Sequence, residues 1–487
     1  MAVGTDISRD TDLQLDPVLP IEFRCGSTSS PPPPRRPNGK LRTDLWAGHL
    51  EGAAFGGMVG LGETYLPAFA LAVGLGDITA GMVASVPLLA GGILQTASPL
   101  AIRWLGSHKR WVLLCALIQA LSFIPLLMAA LAGQISASAI FLVAAVYWGT
   151  GLATGPAWNT WMGTLVPRVV RARFFANRTR VSQLTVFVGL LTAGLLLQWA
   201  NAHGTALTAF AGIFFVAGCC RLVSLVFLAK QREPEMSRRH MPTLSIMKVW
   251  SQIRNAGSGQ LVLYLVVVQG AVQFAGPYFT PFMFRWLHLS YQGYVILVAT
   301  AFLTKVVTLS AWGSLAHRLG AMRLLWIGGI GITPLSAMWI ISDNFVWLIL
   351  LQAVAGVFWG AYELGFFLMF FESIPEEDRT GVLTFYNLAN TTTWVLGSAL
   401  GGLVLYGLGT GPTAYLTLFA LSSVGRGAAL LLLRRVETAR EVLSAPIGLR
   451  TVGVRPMAAS IDAPVLPSLP DQTDELLEAA ATPATAS

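Results

Sequence analysis

Glu63 and Glu363 each stand inside a long apolar stretch, where a carboxylate is suited to proton chemistry. Loss of water favours the neutral acid, so such a group takes up or releases a proton as its surroundings change. Three cations share the apolar stretches: Arg221, Lys305 and Arg426. Polar groups accompany the acids: Tyr65 beside Glu63, Tyr362 beside Glu363, Asn159 just after Pro156, and Gln269 with Gln273. The two glutamines are four apart, which puts them on one face of a helix.

Several of these residues carry two readings. Glu363 and Arg426 each lie seven residues from the same end of their stretches. At about 1.5 Å per residue both are about 10 Å deep, so Glu363 either carries a proton or forms a structural ion pair with Arg426. Arg221 is expected to pair with Glu51. Lys305 either attracts an anion or reaches an interface by snorkelling, and Arg285 is read as an interfacial anchor. Trp158 and Trp161 flank Asn159, where they stack on a flat solute or simply pack.

The elements that must hold these residues are membrane spans. Of 487 residues, 54% are hydrophobic and 11% charged, against the roughly 25% charged residues usual in soluble domains. A span needs about 20 apolar residues. Twelve stretches qualify, at 48–73, 78–104, 111–132, 138–163, 181–200, 206–229, 260–284, 291–313, 321–341, 344–370, 382–407 and 413–433. The chain thus reads as an all-α membrane protein with twelve transmembrane helices. Its expected parts are a disordered tail over 1–46, a six-helix half over 47–229, a linker over 230–259, a second half over 260–434 and a tail over 435–487.

Charge tests this count. Of 32 Lys and Arg, 28 fall in the tails and in every second loop, while the opposite loops hold only Arg285. The inside-positive bias then puts both termini in the cytoplasm. The net charge of +8 is explained by this placement, and no nucleic-acid partner is expected. Adjacent Cys219 and Cys220 make a poor disulfide pair, and Cys25 and Cys115 have no ligand spacing. No phosphate loop, Ser-His-Asp arrangement or metal cluster appears, so neither an enzyme nor a cofactor is expected.

The two halves echo each other. Leu100, Ala101, Arg103 and Gly106, followed by Lys109 and Arg110, form a basic turn. Gly313, Leu315, Ala316, Arg318 and Gly320, followed by Arg323, form a second. Pro167 with Arg171 and Pro375 with Arg379 are similarly matched, as are Arg221 and Arg426.

These hairpins resemble the signature of the major facilitator superfamily, Gly-x-Leu-Ala-Asp-Arg-x-Gly, which that family carries once in each half. The acid is absent from both copies, with Ile102 and His317 in its place. The resemblance covers about residues 46 to 435. It implies two six-helix pseudo-repeats that rock about a central site lined by spans one, four, seven and ten. Glu63, Tyr65, Asn159, Gln269, Gln273, Tyr362 and Glu363 lie on those spans, so they are expected to bind substrate or couple protons. The hairpins are expected to act as gates, with a latch altered by the missing acids; alternatively they only anchor topology.

The function expected is secondary active transport of a small solute by alternating access, driven by the proton gradient, in the plasma membrane of a bacterium. An aromatic cavity with few fixed charges suggests export. A monomer in the lipid bilayer is expected. The rival is a receptor or accessory subunit on the same scaffold.

Overall fold

The computed structural model describes residues 39–235, 258–373 and 376–436. Pro31 to Pro34, Cys25, the linker arginines Arg238 and Arg239, and Pro375 lie outside the described residues, as do the side chains of Arg171, His317 and Arg379. All regular structure among the described residues is helical.

The first half runs α1 (Gly39–Leu61), α2 (Leu66–Ala72), α3 (Asp77–Val83), α4 (Leu88–Leu105), α5 (His108–Leu121), α6 (Phe123–Ala132), α7 (Ala137–Leu165), α8 (Arg168–Ala202) and α9 (Ala206–Lys230). The second half runs α10 (Ser258–Ala275), α11 (Phe279–Arg285), α12 (Tyr291–Leu319), α13 (Ala321–Ile332), α14 (Phe345–Ser373), α15 (Glu376–Leu408) and α16 (Pro412–Leu433).

Eleven stretches among the described residues are long and apolar enough to cross a membrane. They coincide with the second to twelfth spans read from the sequence. The first expected span is different. It consists of α1 and α2 joined by a 3-10 turn at Glu63–Tyr65, and the opening turns of α1 carry Lys40, Arg42 and Asp44. Helix α1 also begins at Gly39, inside the stretch expected to be tail. Asp44 turns inward and is 4% exposed, because Arg232 donates to it from beyond α9 at 2.9 Å.

Lipid accounts for the outer surface. Leu184, Val188, Leu195 and Trp199 are exposed along α8, and Leu396, Leu400 and Leu403 along α15. In water such stripes would be a liability; in hydrocarbon they are solvated.

Packing within the halves is matched. Helix α1 packs on α8 and α9, as α10 packs on α15 and α16. Helix α4 packs on α7, as α12 packs on α14. Small residues allow the closest approaches. A Cβ at Gly60 would collide with the Val186 carbonyl of α8, and one at Gly401 with the Phe274 carbonyl of α10. Between the halves, α4 packs on α15 and α8 on α12.

Both hairpins turn on a glycine. Gly106 closes α4 at φ 63°, and Gly320 separates α12 from α13 at φ 83°. That backbone is easy only for glycine.

Candidate functional site

A cavity of about 190 Å³ lies inside the second half. Helices α10, α11, α12, α14 and α16 line it, with Trp339 closing one side from a short 3-10 turn. Lys305 on α12 donates to Glu363 Oε1 on α14 at 3.0 Å, and both are buried. The expected pairing of Glu363 with Arg426 is therefore corrected. Arg426 instead donates through Nη1 to the Ile332 carbonyl at 2.9 Å, and it lines the cavity rather than lying outside it. Lys305 is 7% exposed, so it does not snorkel to an interface. Its short reach to Glu363 inside the bundle makes the ion pair cheaper than a stretched path to water.

The first half holds its acid differently. Glu63 opens the 3-10 turn, where the helix ladder is interrupted. Tyr147 on α7 donates its hydroxyl to Glu63 Oε2 at 2.8 Å. Tyr65 is not among the residues lining the second-half cavity. It is fully buried, and its hydroxyl donates to the Leu190 carbonyl of α8 at 2.5 Å. The second half repeats this bond. A 3-10 turn at Gly276–Tyr278 breaks the helix, and Tyr278 donates to the Ser398 carbonyl of α15 at 2.5 Å.

The remaining expected residues are scattered. Gln269 and Gln273 are buried on α10 but are not among the cavity-lining residues; Gln273 packs on α15 at Gly397. Tyr362 is 1% exposed, and its hydroxyl has no hydrogen-bond partner among the described residues. Asn159 is half-buried on α7. Its neighbour Trp158 lies under the Arg178 guanidinium, 4.3 Å from the ring centre.

Arg178 also takes the role expected of Arg221. It donates to Glu51 Oε2 through Nε at 3.0 Å and Nη2 at 2.6 Å. Arg221 reaches the same carboxylate through Ser224, at 3.0 Å and then 3.4 Å. A guanidinium with a direct two-point approach outcompetes one held a hydroxyl away.

The ends of the bundle are secured separately. At the hairpin end of the first half, Glu233 sits at the N-terminus of α5. It accepts from Ser107 Oγ at 2.5 Å and from the backbone N–H of His108 and Lys109 at 2.8 and 3.2 Å. Lys109 Nζ returns to the carbonyls of Ala229 and Gln231 at 2.7 and 2.6 Å. Thus a carboxylate from beyond α9 caps the helix that follows the acid-less hairpin. Arg103 and Arg318 are exposed. At the opposite end, Asp77 on α3 meets Arg285 of α11 at 3.1 Å and accepts from the Tyr415 hydroxyl of α16 at 3.0 Å. Tyr294 and Gln292 of α12 also bond across to Thr64 and Gln198 there.

Comparison with known proteins bears on this arrangement. Residues 261–469 match the family model described as Major Facilitator Superfamily. A mutant of the nucleoside transporter NupG is similar in structure, with a TM-score of 0.61 at 14% identity; the match covers 81% of this chain and 100% of that one. The family match spans somewhat under half of the chain, its second half, and the fold of the described residues is that of this transporter structure. The eleven long apolar helices among the described residues make the chain an integral membrane protein. Two further similar structures are a bacterial homologue of the lysosomal transporter Spinster and a bacterial homologue of the iron transporter ferroportin. The Spinster homologue, in an inward-facing and unoccupied conformation, has a TM-score of 0.56 at 13% identity, covering 81% of this chain and 94% of that one. The ferroportin homologue, in an outward-facing state with soaked iron, has a TM-score of 0.53 at 13% identity, covering 81% and 98%. No curated protein matches the sequence.

Sequence pattern alone does not single out Tyr147, Arg178, Glu233 and Asp77. Glu233 follows the end of α9 by three residues and is one of two acids, with Glu235, at the head of a largely basic loop. Asp77 is the only acid at the start of the second span. Tyr147 and Arg178 had no comparable signal, because their partners lie far off in the chain.

Proposed function

We propose that the chain is a secondary active transporter that moves a small solute by alternating access. The carrying observation is the ion pair of Asp77 with Arg285, joined by Tyr415, which ties the two halves together at one end of the bundle's membrane axis. Contacts of this kind must break for that end to open. Matched helix packing and the paired Tyr65 and Tyr278 bonds support two six-helix repeats and twelve spans, counting α1 with α2 as the first. The positive charge of the hairpin loops supports cytoplasmic termini in a bacterial plasma membrane. The conformation then reads as inward-facing, closed at the Asp77 end.

Proton coupling is assigned to Glu63 and Glu363. Each faces a group that carries an exchangeable proton: the Tyr147 hydroxyl for Glu63, the Lys305 ammonium for Glu363. Export is the direction we assign, from the aromatic cavity wall and its few charges. Purified protein in proteoliposomes loaded with a pH-sensitive dye, challenged with a panel of small organic solutes, tests the reading. Solute-dependent proton movement that Glu63→Gln abolishes is the expected result. Unchanged gradient-driven flux in Glu63→Gln at normal protein levels would remove Glu63 from the mechanism. No flux for any solute would favour the receptor or accessory role instead.

A further inference from the structure

We propose that the cavity in the second half binds the carboxylate of a small monoanionic solute with an apolar body, and that Arg426 is its anchor; the physiological sense of this rests on the transport reading above.

Charge balance is the first argument. Among the cavity-lining residues there are two cations, Lys305 and Arg426, against one carboxylate, Glu363. The lysine and the glutamate neutralise each other at 3.0 Å. Arg426 is left with only a carbonyl dipole, Ile332 O at 2.9 Å. Its Nε has no hydrogen-bond partner among the described residues, although Arg426 is 4% exposed. A buried guanidinium without a counter-charge is costly, the more so at membrane depth. A bound monoanion supplies the missing charge, and a carboxylate fits the planar fork.

Shape and lining supply the second argument. Phe279, Phe302, Trp339 and Trp359 make the walls. Phe279 and Trp339 stand 5.1 Å apart between ring centres, so the walls on that side form a continuous aromatic surface. Such walls gain from covering an apolar body and offer little to a polar one. The volume of about 190 Å³ suits a compact solute. A cationic solute would add to the surplus positive charge. A neutral one would leave it uncompensated.

The test uses the full-length purified protein and four probes: sodium benzoate, benzyl alcohol, benzylamine hydrochloride and sodium chloride. Binding is read by tryptophan fluorescence and by thermal shift. Benzoate should bind saturably, at least about tenfold more tightly than the other three. Arg426→Gln should weaken benzoate by about tenfold or more, and Arg426→Lys should recover part of the loss. Gln352→Glu adds a carboxylate to the wall without touching Arg426, and it should weaken benzoate comparably in a protein that remains folded. Equal binding of benzyl alcohol or chloride, or unchanged benzoate binding in Gln352→Glu and Arg426→Gln, would overturn the proposal. Radiolabelled benzoate counterflow in proteoliposomes separates the two readings. Arg426-dependent binding without counterflow sinks transport alone. Proton-coupled flux of a neutral solute with no benzoate binding sinks the anion site alone.

Discussion

The Arg285 guanidinium lies 3.1 Å from the Asp77 carboxylate, and this contact joins the second half of the chain to the first. The Tyr415 hydroxyl bonds the same carboxylate at 3.0 Å, so three spans converge on one acid. Arg285 is half-exposed, which limits the pair to about 1 kcal/mol. That is still enough to shift a two-state equilibrium by about fivefold. Asp77→Asn should therefore populate a state opened at this end. Spin labels at His203 and Thr410, both exposed at that end, should show a new, longer distance by electron paramagnetic resonance. An unchanged distance distribution would mean that the pair does not hold the end closed.

Glu233 caps the helix that follows the hairpin lacking its acid. Its three accepted bonds at the start of α5 predict that Glu233→Gln loses about 1–2 kcal/mol of stability. The melting temperature of the purified protein should fall by a few degrees. Glu235→Gln, at an exposed position two residues on, should leave it unchanged. Equal melting of both variants would remove the capping role.

The Lys305 and Glu363 pair predicts an asymmetric response to charge removal. Glu363→Gln leaves two cations lining one cavity, whereas Lys305→Met leaves one cation and one carboxylate, Arg426 and Glu363. The glutamate variant should be the worse by about 1 kcal/mol or more, within the roughly 3–5 kcal/mol cost of breaking a buried pair. The double variant should recover most of the loss. Folded yield and melting temperature in detergent decide this; equal damage from the two single variants would contradict it.

Tyr65 and Tyr278 predict matched losses. Tyr65→Phe strands the Leu190 carbonyl of one accepted bond, and Tyr278→Phe does the same at Ser398. Each should cost about 0.6–1 kcal/mol, the usual range for a bond between membrane helices. Melting of the two single variants should agree closely and add in the double variant, because the sites are in different halves. A large difference between them would show that the two breaks do different work.

Much of the fold was legible because the membrane imposes strong local rules. Eleven of the twelve expected stretches are long apolar helices, with ends within a few residues of those read from the sequence. The exception has a physical cause. The first span is interrupted at Glu63–Tyr65, and Asp44 at the head of α1 is buried against Arg232, from beyond α9. No local pattern announces a partner that distant.

The candidate site was less legible. Composition located its ionisable groups, since a charge among apolar residues stands out in any window. It did not reveal which groups meet. Depth along a span is set by counting residues, and on that count Glu363 matched Arg426. Rotation about each helix axis and the choice of neighbouring helix are set by packing, and they put Lys305 against Glu363 instead. The same freedom gave Glu51 to Arg178 and turned Tyr65 to a backbone carbonyl.

By itself, then, the sequence determined the spans, the loops that carry the positive charge and the hairpin glycines. Each of these follows from residues close together in the chain meeting lipid, water or a turn. Only the tertiary structure decided the pairings of buried charge, the cavity inside the second half and the Asp77 contact between halves. These depend on which helix faces overlap, and that is fixed by close packing over the whole bundle.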